Sequence, residues 1–421
     1  MARPMWTRLQ RLHPFTTPEA QRLALLFGTV YFAQGMWYLP NQTITVVLKD
    51  RGLTAGQVAD FFLVTTIPWL IKPLYGLVSD FVPLAGRRRK SYYVLTTSLA
   101  IAGGAALALW PGHPYRAMAA LFTAMGLGLA FTDVLTDALM VESGRPRGLT
   151  GAFQSVQWAA ITASSIAVGL LGGQLAGARD LTLAFAVAAA LPAVSLAMGL
   201  VFIHEPPAAS DREAARATWR AIRAAMGDRT VWVVAGFIFF WTFSPSFGPA
   251  FLYYQTDILA FSQQFIGALD SLYYAAAVVG AFAYAPLSRR APLRRLIVVV
   301  IGLGVASTLL YLLYRDRPSA VLIQCLFGVF AMLGQLAFLD LAAKACPPRL
   351  EATFFALLMS VFNAGTQLSQ NVGARLYEVY GYTPLVLISA AMSALTWLLV
   401  PLVRIDRIEA QARASQAAVA P

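Results

Sequence analysis

The chain has 421 residues, of which 58% are hydrophobic and only 12% are charged, and its formal net charge is +12. Soluble domains are about half apolar and a quarter charged, so this composition excludes a soluble globular protein and predicts one that crosses a membrane many times. The basic residues lie between apolar stretches, so we expect the lipid bilayer rather than nucleic acid as their partner.

Twelve apolar stretches are long enough to cross a bilayer, which takes about 20 mostly apolar residues. These predicted transmembrane helices, numbered 1 to 12 in chain order, cover residues 21–48, 56–80, 92–110, 115–143, 149–177, 182–203, 230–257, 262–287, 295–314, 318–344, 351–380 and 383–403. Helix 1 is too long for the apolar region of a signal peptide, so we expect it to remain in the mature protein.

Lysine and arginine concentrate on one side of this arrangement. With both termini inside, 24 of the 32 basic residues lie in inner segments, six lie in outer loops, and Lys72 and Arg375 lie within helices. By the positive-inside rule this distribution predicts a multi-pass protein of the inner (cytoplasmic) membrane with both termini in the cytoplasm. "Inner" and "outer" are used below for these predicted cytoplasmic and opposite ends.

A polar insertion divides the chain in the middle. We expect an N-terminal six-helix bundle over residues 1–203, a cytoplasmic linker over 204–229, a C-terminal six-helix bundle over 230–403 and a cytoplasmic tail over 404–421. The linker contains a short amphipathic helix with arginines around an apolar face, which is typical of a helix on the inner leaflet. A regulatory partner site is the alternative.

An internal repeat relates the two halves. Asp, Arg and Phe at positions 137, 147 and 153 recur at positions 340, 349 and 355, at offsets of 202 or 203 residues. Two similar six-helix halves joined by a cytoplasmic linker resemble the plan of the major facilitator superfamily, in which substrate binds between the halves. The predicted fold class is therefore an all-α membrane protein with twelve transmembrane helices and the major facilitator fold.

Lys72 is an ammonium inside the apolar run of helix 2. Placing it in hydrocarbon costs about 3 kcal/mol or more, so we expect it to face a partner or a watery cavity. By helix position it lies at the depth of Asp133 and Asp137, which share a face of helix 4. Two carboxylates this close repel, which favours protonation of one of them, and competition with Lys72 could couple protons to transport. A fixed ion pair between helices 2 and 4 is the alternative.

Other acids and bases suggest proton coupling or gates. Asp270 in helix 8 is a third predicted proton-coupling acid, with helix packing as the alternative. At the outer end, Arg375 of helix 11 is predicted to pair with Asp60 of helix 2 as a gate, and a local pair with Glu378 is equally compatible with the sequence.

The inner end of helix 2 carries a second predicted gate. Gly76 and Asp80 followed by a Gly-Arg-Arg-Arg-Lys turn resemble the signature of the major facilitator superfamily between helices 2 and 3. The residues predicted to form this inner latch are Asp80, Arg87, Arg88, Arg89 and Glu142.

Four sequence blocks resemble the folate-biopterin transporters, a branch of that superfamily. They comprise residues 67–80 with the basic turn after them, 133–142 with 151–155, 244–248 with 251–254, and 346–363. The resemblance extends over both halves and implies uptake of folates or reduced pterins driven by protons. Some members of such families carry other substrates, so the ligand follows less directly than the fold.

A folate-like ligand is a flat heteroaromatic ring with an anionic tail, so aromatic and amide side chains are candidate contacts. Helix packing is the alternative for each of them. The predicted substrate-binding residues, besides Lys72, are Gln34, Tyr38 and Asn41 of helix 1, Gln154 and Gln157 of helix 5, Trp241, Ser244 and Tyr254 of helix 7, and Asn363 and Gln367 of helix 11. The Ser-Pro-Ser-x-Gly pattern at 244–248 predicts an unwound turn beside a cavity.

These patterns predict a secondary active transporter that moves folate or a pterin by alternating access as a proton symporter, without a cofactor and as a monomer. The sequence has no nucleotide-binding loop, no metal-ligand cluster and no nucleophile beside a base, which disfavours an enzyme and an ATP-driven pump. The alternatives are a major facilitator transporter of another organic anion, a drug or a cell-wall muropeptide, and, more distantly, a non-transporting membrane scaffold.

Overall fold

The computed structural model describes residues 14–110, 112–206, 212–347 and 351–419. All twelve predicted spans are helical within these residues, and the fold class is confirmed. Arg349 of the internal repeat and residues 207–211 of the linker lie outside the described residues. The linker helix spans Arg212–Ala225, and the predicted tail contains a C-terminal helix, Ile405–Val419.

The observed helices lie within a few residues of the predicted ones, because long apolar runs leave little choice of boundary. Their bounds are Pro18–Gly35 with Pro40–Asp50 (helix 1), Ala55–Leu70 with Lys72–Phe81 (2), Lys90–Leu109 (3), Tyr115–Gly144 (4), Thr150–Ala178 (5), Leu181–Phe202 (6), Arg229–Thr242 with Pro249–Tyr253 (7), Gln263–Arg290 (8), Leu293–Leu310 (9), Arg317–Ala345 (10), Glu351–Tyr380 (11) and Tyr382–Val403 (12).

Three helices are interrupted where proline or glycine weakens the backbone ladder. Helix 1 contains a 3₁₀ turn at Met36–Tyr38 before Pro40, and helix 2 breaks at Ile71, between two prolines. Helix 7 is unwound from Phe243 to Gly248, whose φ of +47° lies in the left-handed region that glycine adopts most easily. The predicted break in helix 7 is therefore confirmed.

Nine helices among the described residues are long and apolar enough to cross a membrane by composition alone. Helices 1, 7 and 11 do not qualify. Helices 1 and 7 are interrupted, and helix 11 carries amides and charges along its outer half. These are three of the helices on which the sequence places candidate site residues, so the polar groups that lower their hydropathy coincide with the predicted site.

The described residues divide into two compact units. Unit 1 takes its residues from Met1–Pro40, Tyr75–Ala167 and Thr182–Ser210, and unit 2 takes them from Asn41–Leu74, Val168–Leu181 and Asp211–Pro421. The outer parts of helices 1, 2 and 5 therefore belong to the same unit as helices 7 to 12. The division into bundles 1–203 and 230–403 stays a prediction.

Each unit has its own packed interior. In unit 1, helices 3 and 4 approach so closely that a Cβ at Gly128 would lie 2.4 Å from the Thr96 carbonyl oxygen. In unit 2, buried side chains of helices 7, 9, 10, 11 and 12 form one core, to which the C-terminal helix adds Ile405 and Ile408. This helix is thus fixed to the bundle by burial of apolar surface.

Candidate functional site

Asp137 of helix 4 lies at the centre of a polar cluster in unit 1. The Tyr31 hydroxyl of helix 1 donates a hydrogen bond to Asp137 Oδ1, and Gln157 Nε2 of helix 5 donates a second one over 3.2 Å. Tyr31 is fully buried, and Asp133, one helical turn before Asp137, is only 3% exposed. Three helices thus converge on one half-buried carboxylate.

This arrangement gives the Asp137 carboxylate two neutral hydrogen-bond donors and places a second acid, Asp133, one helical turn away. From the sequence, Asp133 and Asp137 were predicted for proton coupling and Gln157 for substrate binding, and Tyr31 was not among the candidates. The signal for Tyr31 was its spacing, because it lies three residues before Gln34 and seven before Tyr38, on one face of helix 1.

Gln34 lies on the same helix as Tyr31 and is half-buried. Its Oε1 atom is buried, and no described residue donates a hydrogen bond to it. A buried amide oxygen of this kind normally has a protein, water or ligand partner, so Gln34 remains a candidate substrate contact.

The predicted inner latch centres on Arg89, which is only 7% exposed. Its guanidinium lies 2.6 Å from Asp80 Oδ1 and 2.7 Å from Glu142 Oε1, and it donates to the Ser79 hydroxyl over 2.8 Å. Burial lowers the pKa of Arg89, but the hydrogen bonds and charges of Glu142 and Asp80 outweigh it and raise the pKa above its ordinary value. Arg87, by contrast, is exposed.

Glu205, just after helix 6, caps the start of helix 3 and was missed by the sequence analysis. Its carboxylate accepts hydrogen bonds from the backbone N–H groups of Arg88, Arg89 and Lys90 at 2.8 to 3.1 Å. These donors would otherwise lack a partner at a helix N-terminus, where negative charge is also favoured by the helix dipole.

We expect Glu205→Ala to lower the free energy of unfolding by about 1–2 kcal/mol, because it removes a charged cap from three backbone donors. Thermal unfolding in detergent should then show a melting temperature lower by about 1–2 °C. Glu19→Ala is the control, since Glu19 forms an exposed pair with Arg147 at 2.7 Å and such pairs contribute little. Equal melting temperatures for the two variants would contradict the cap.

The predicted pair between helices 2 and 11 is present at the outer end of unit 2. Arg375 Nη2 lies 2.7 and 2.9 Å from the two oxygens of Asp60, and Asn371 Nδ2 donates to Asp60 over 2.7 Å. Glu378, the alternative partner of Arg375, instead accepts a hydrogen bond of 2.6 Å from the Gly56 backbone N–H. Both contacts join helix 2 to helix 11.

Further contacts join the outer part of helix 1 to helices 5, 7 and 8. Lys49 pairs with Asp257 of helix 7, Arg179 after helix 5 pairs with Asp50 over 2.5 Å, and Gln42 donates to Gln263 over 2.9 Å.

Helices 5 and 8 also approach closely at three glycines. A Cβ on Gly267 would lie 2.2 Å from the Gly169 carbonyl oxygen and 2.7 Å from Gly173 Cα. The outer parts of helices 1, 2 and 5 are thus packed against helices 7, 8 and 11, which closes the outer end of unit 2.

The unwound turn of helix 7 is held by serines of helices 11 and 12. Ser244 donates to the Ser389 carbonyl over 2.8 Å and accepts from the Ser393 hydroxyl over 2.9 Å. Ser369 donates to the Ser244 carbonyl over 2.5 Å and to the Ser246 hydroxyl over 3.0 Å. The polar groups of Ser244 therefore already have protein partners.

The predicted aromatic contacts of helix 7 are stacked on other rings. Trp241 lies parallel to Phe338 with centroids 4.7 Å apart. Tyr254 lies parallel to Tyr382 at 3.7 Å, and its hydroxyl donates to the Tyr314 carbonyl. These contacts match the packing alternative, and a role in substrate binding stays a prediction for both.

The remaining candidates differ in their surroundings. Lys72 begins the second segment of helix 2, with Nζ 5.5 Å from the centroid of the Trp69 ring, and its pairing with Asp133 or Asp137 stays a prediction. The predicted contacts Tyr38 and Gln154 are exposed, whereas Asn41, Asn363 and Gln367 are half-buried. The last two lie one turn apart on helix 11, on the stripe that continues to Asn371 and Arg375.

Asp270 lies two turns into helix 8, and its side chain is exposed. It is within electrostatic range of the hydroxyls of Tyr273, Tyr311 and Tyr314. Its carboxylate thus borders the aromatic core formed with helix 9. Its part in proton coupling stays a prediction.

Comparison with known proteins agrees with the predicted family and fold. The model of the BT1 family matches residues 34–410. The folate-biopterin transporter of Synechocystis sp. is 32% identical over 386 residues, which cover 87% of this chain and 76% of the relative. Folate transporter 2 of Plasmodium falciparum is 23% identical over 353 residues, covering 80% of this chain and 76% of the relative.

Solved structures share the fold at low identity. The nucleoside transporter NupG has a TM-score of 0.71 and 15% identity, covering 92% of this chain and 98% of its own. A D-xylose-proton symporter has a TM-score of 0.68 and 13% identity, covering 91% of this chain and 98% of its own. At such identities the likeness shows the fold alone, which is that of the major facilitator transporters.

Proposed function

Because this chain belongs to the BT1 family, we propose that it moves folate or a related pterin across the membrane by alternating access, as a proton symporter. Its family and fold make it a multi-pass membrane transporter and not an enzyme. The proposal places a monomer in the inner (cytoplasmic) membrane with both termini in the cytoplasm. The observation that carries the substrate is the 32% identity to a folate-biopterin transporter over 87% of the chain.

Proton coupling is supported by the cluster around Asp137. All three histidines of the chain lie in tails or loops of the sequence, so a relay within the helices must use carboxylates. Asp137 is half-buried, held by two donors and near Asp133, which is the setting in which a carboxylate changes its protonation state.

Alternating access is supported by the kind of contact that closes the outer end. The side chains of Asp60 and Arg375 are 43% and 56% exposed, and exposed pairs contribute about 0 to 1 kcal/mol each. A closure made of several such pairs has a specific geometry, and breaking it costs little free energy, as a gate requires.

Uptake of labelled folate into proteoliposomes, with and without an inward proton gradient, tests the function. We expect uptake above that of protein-free liposomes, and accumulation only with the gradient. Absence of uptake under both conditions would contradict the folate proposal. Uptake that does not respond to the gradient would contradict symport while leaving folate transport standing.

We expect Asp60→Asn combined with Arg375→Gln to open the outer end more often, by about fivefold, since one exposed pair contributes up to about 1 kcal/mol. The readout is labelling of a cysteine introduced at Ala59, which is buried against helices 7 and 11. A membrane-impermeant maleimide is used in a background with Cys325 and Cys346 replaced by alanine.

The charge swap Asp60→Arg with Arg375→Asp is the matched control for this gate. It preserves the opposite charges, so labelling should return towards the slow rate of the parent. If the neutral double variant is labelled at the parental rate, the pair does not hold the outer end closed.

A further inference from the structure

An open groove of about 670 Å³ lies at the inner end of unit 2. Its walls come from the first turns of helix 7, the last turns of helix 12 and the start of the C-terminal helix. The basic side chains in it are Arg229, Arg404 and Arg407, and the apolar wall includes Trp232 and Leu402. None of these residues belongs to the Asp137 cluster, the inner latch or the outer closure.

The three arginines of this groove are exposed, and no described residue forms an ion pair with them. The nearby acids are already engaged. Asp406 pairs with Arg294 over 3.1 Å, and Glu409 accepts a hydrogen bond from the Leu293 backbone N–H.

A third acid, Asp228, caps helix 7, where it accepts a hydrogen bond of 2.8 Å from the Thr230 backbone N–H. Among the described residues, the three arginines of the groove are therefore not held in ion pairs.

The backbone at Arg404 supports a role for its side chain. Arg404 ends helix 12 with φ +50° and ψ +48°, in the left-handed region. A residue other than glycine or asparagine costs about 1 kcal/mol or more there. After this turn the C-terminal helix packs on the core through Ile405 and Ile408, and Arg404 and Arg407 line the groove together with Arg229.

The apolar wall is open along helix 7. A Cβ on Gly236 would meet nothing within 4 Å. The indole of Trp232 is held by a hydrogen bond of 2.7 Å from Nε1 to the Met226 carbonyl, and its residue is 49% exposed. On the opposite wall Leu402 is 65% exposed. A long apolar chain could therefore lie between helices 7 and 12.

We propose that this groove binds one anionic phospholipid of the inner leaflet. The phosphate lies among Arg229, Arg404 and Arg407, and the acyl chains lie along Trp232 and Gly236. Guanidinium groups hold phosphate by charge-assisted hydrogen bonds, and basic pockets between transmembrane helices on the cytoplasmic side bind such head groups.

The linker helix, just before helix 7, carries a second surface on which arginines lie beside an exposed aromatic ring. Trp219 is 59% exposed, and Arg216 and Arg220 are exposed beside it, while Ile222 is buried. Exposed tryptophan with arginines on a short helix is the composition of a segment that lies at the bilayer interface. On this proposal the groove and the linker helix form one continuous surface towards the lipid head groups.

The test is native mass spectrometry of the purified full chain with phosphatidylglycerol or phosphatidylcholine added in detergent. We expect retention of phosphatidylglycerol over phosphatidylcholine. Arg404→Gln with Arg407→Gln should weaken that retention about thirtyfold, since each arginine near an anionic surface contributes a factor of about five. Arg289→Gln with Arg290→Gln, at the exposed inner end of helix 8, is the control and should retain the lipid.

A second variant tests the apolar part and does not depend on the arginines. Gly236→Leu places a side chain where a Cβ meets nothing within 4 Å, and it should reduce retention of phosphatidylglycerol while the melting temperature stays at or slightly above that of the parent. Inorganic phosphate at the same concentration should not displace the lipid. Equal retention in the parent and in both groove variants overturns the proposal. If inorganic phosphate displaces the lipid, the groove is a site for simple phosphate and not for a phospholipid, which also overturns the proposal.

Discussion

On the proposed symport mechanism, we expect Asp137→Asn to abolish proton-driven accumulation of folate, whereas exchange of folate across the membrane should continue. Asparagine keeps the shape of the side chain and an oxygen that Tyr31 and Gln157 can donate to, so the cluster remains assembled. It cannot carry a proton. With a one-proton symporter, accumulation in the parent reaches about tenfold per pH unit of gradient, and in the variant it falls to equality of the two sides.

The matched control for this variant is Asp340→Asn. Asp340 occupies the position of Asp137 in the internal repeat, but it pairs with Lys344 over 2.8 Å within helix 10. We expect gradient-driven accumulation to persist in that variant. Accumulation that survives in Asp137→Asn would remove Asp137 as the proton carrier and transfer the role to Asp133 or Asp270.

We expect a methyl group at position 373 to prevent the unwound turn of helix 7 from packing against helix 11. A Cβ there would lie 1.7 Å from the Ser246 carbonyl oxygen, and this oxygen belongs to backbone that cannot move cheaply. Overpacking of this kind costs about 3 kcal/mol or more. We expect Gly373→Ala to yield little folded protein, measured as a loss of the monodisperse peak in detergent and a melting temperature lower by about 3 °C or more.

Gly236→Ala is the control for Gly373→Ala, because both are mid-helix glycines and a Cβ on Gly236 meets nothing within 4 Å. It should melt at or slightly above the parental temperature, since alanine favours a helix over glycine by about 1 kcal/mol. A Gly373→Ala protein that melts like the parent would contradict the close contact between helix 11 and the break in helix 7.

The helices could be predicted from the sequence because hydropathy and proline are local signals. The predicted helix 12, residues 383–403, differs by one residue from the observed Tyr382–Val403. The break after Thr242 followed from Pro245 and Gly248. Glu205 was missed since its partners lie 115 to 117 residues away, and a glutamate after a helix has no distinctive pattern.

The candidate site could be predicted only where a charged residue interrupts an apolar run of the sequence. Asp137 and the Asp60–Arg375 pair followed from the cost of charge within apolar helices. Trp241 and Tyr254 did not follow in the same way, because a sequence does not distinguish an aromatic ring stacked on Phe338 or Tyr382 from one that awaits a ligand. Only the three-dimensional structure shows which neighbours occupy the ring faces.

The outer closure has a consequence for the medium in which the transporter works. The side chains of Arg179 and Asp50 are 57% and 44% exposed, like those of Arg375 and Asp60. Charges in contact with water are screened by dissolved ions, and the screening length falls from about 10 Å at 0.1 M to about 3 Å at 1 M. Ionic strength on the outer side therefore weakens the closure. On the proposed function, the proton gradient acts instead through the half-buried Asp137 cluster, so external salt and protons act on separate groups.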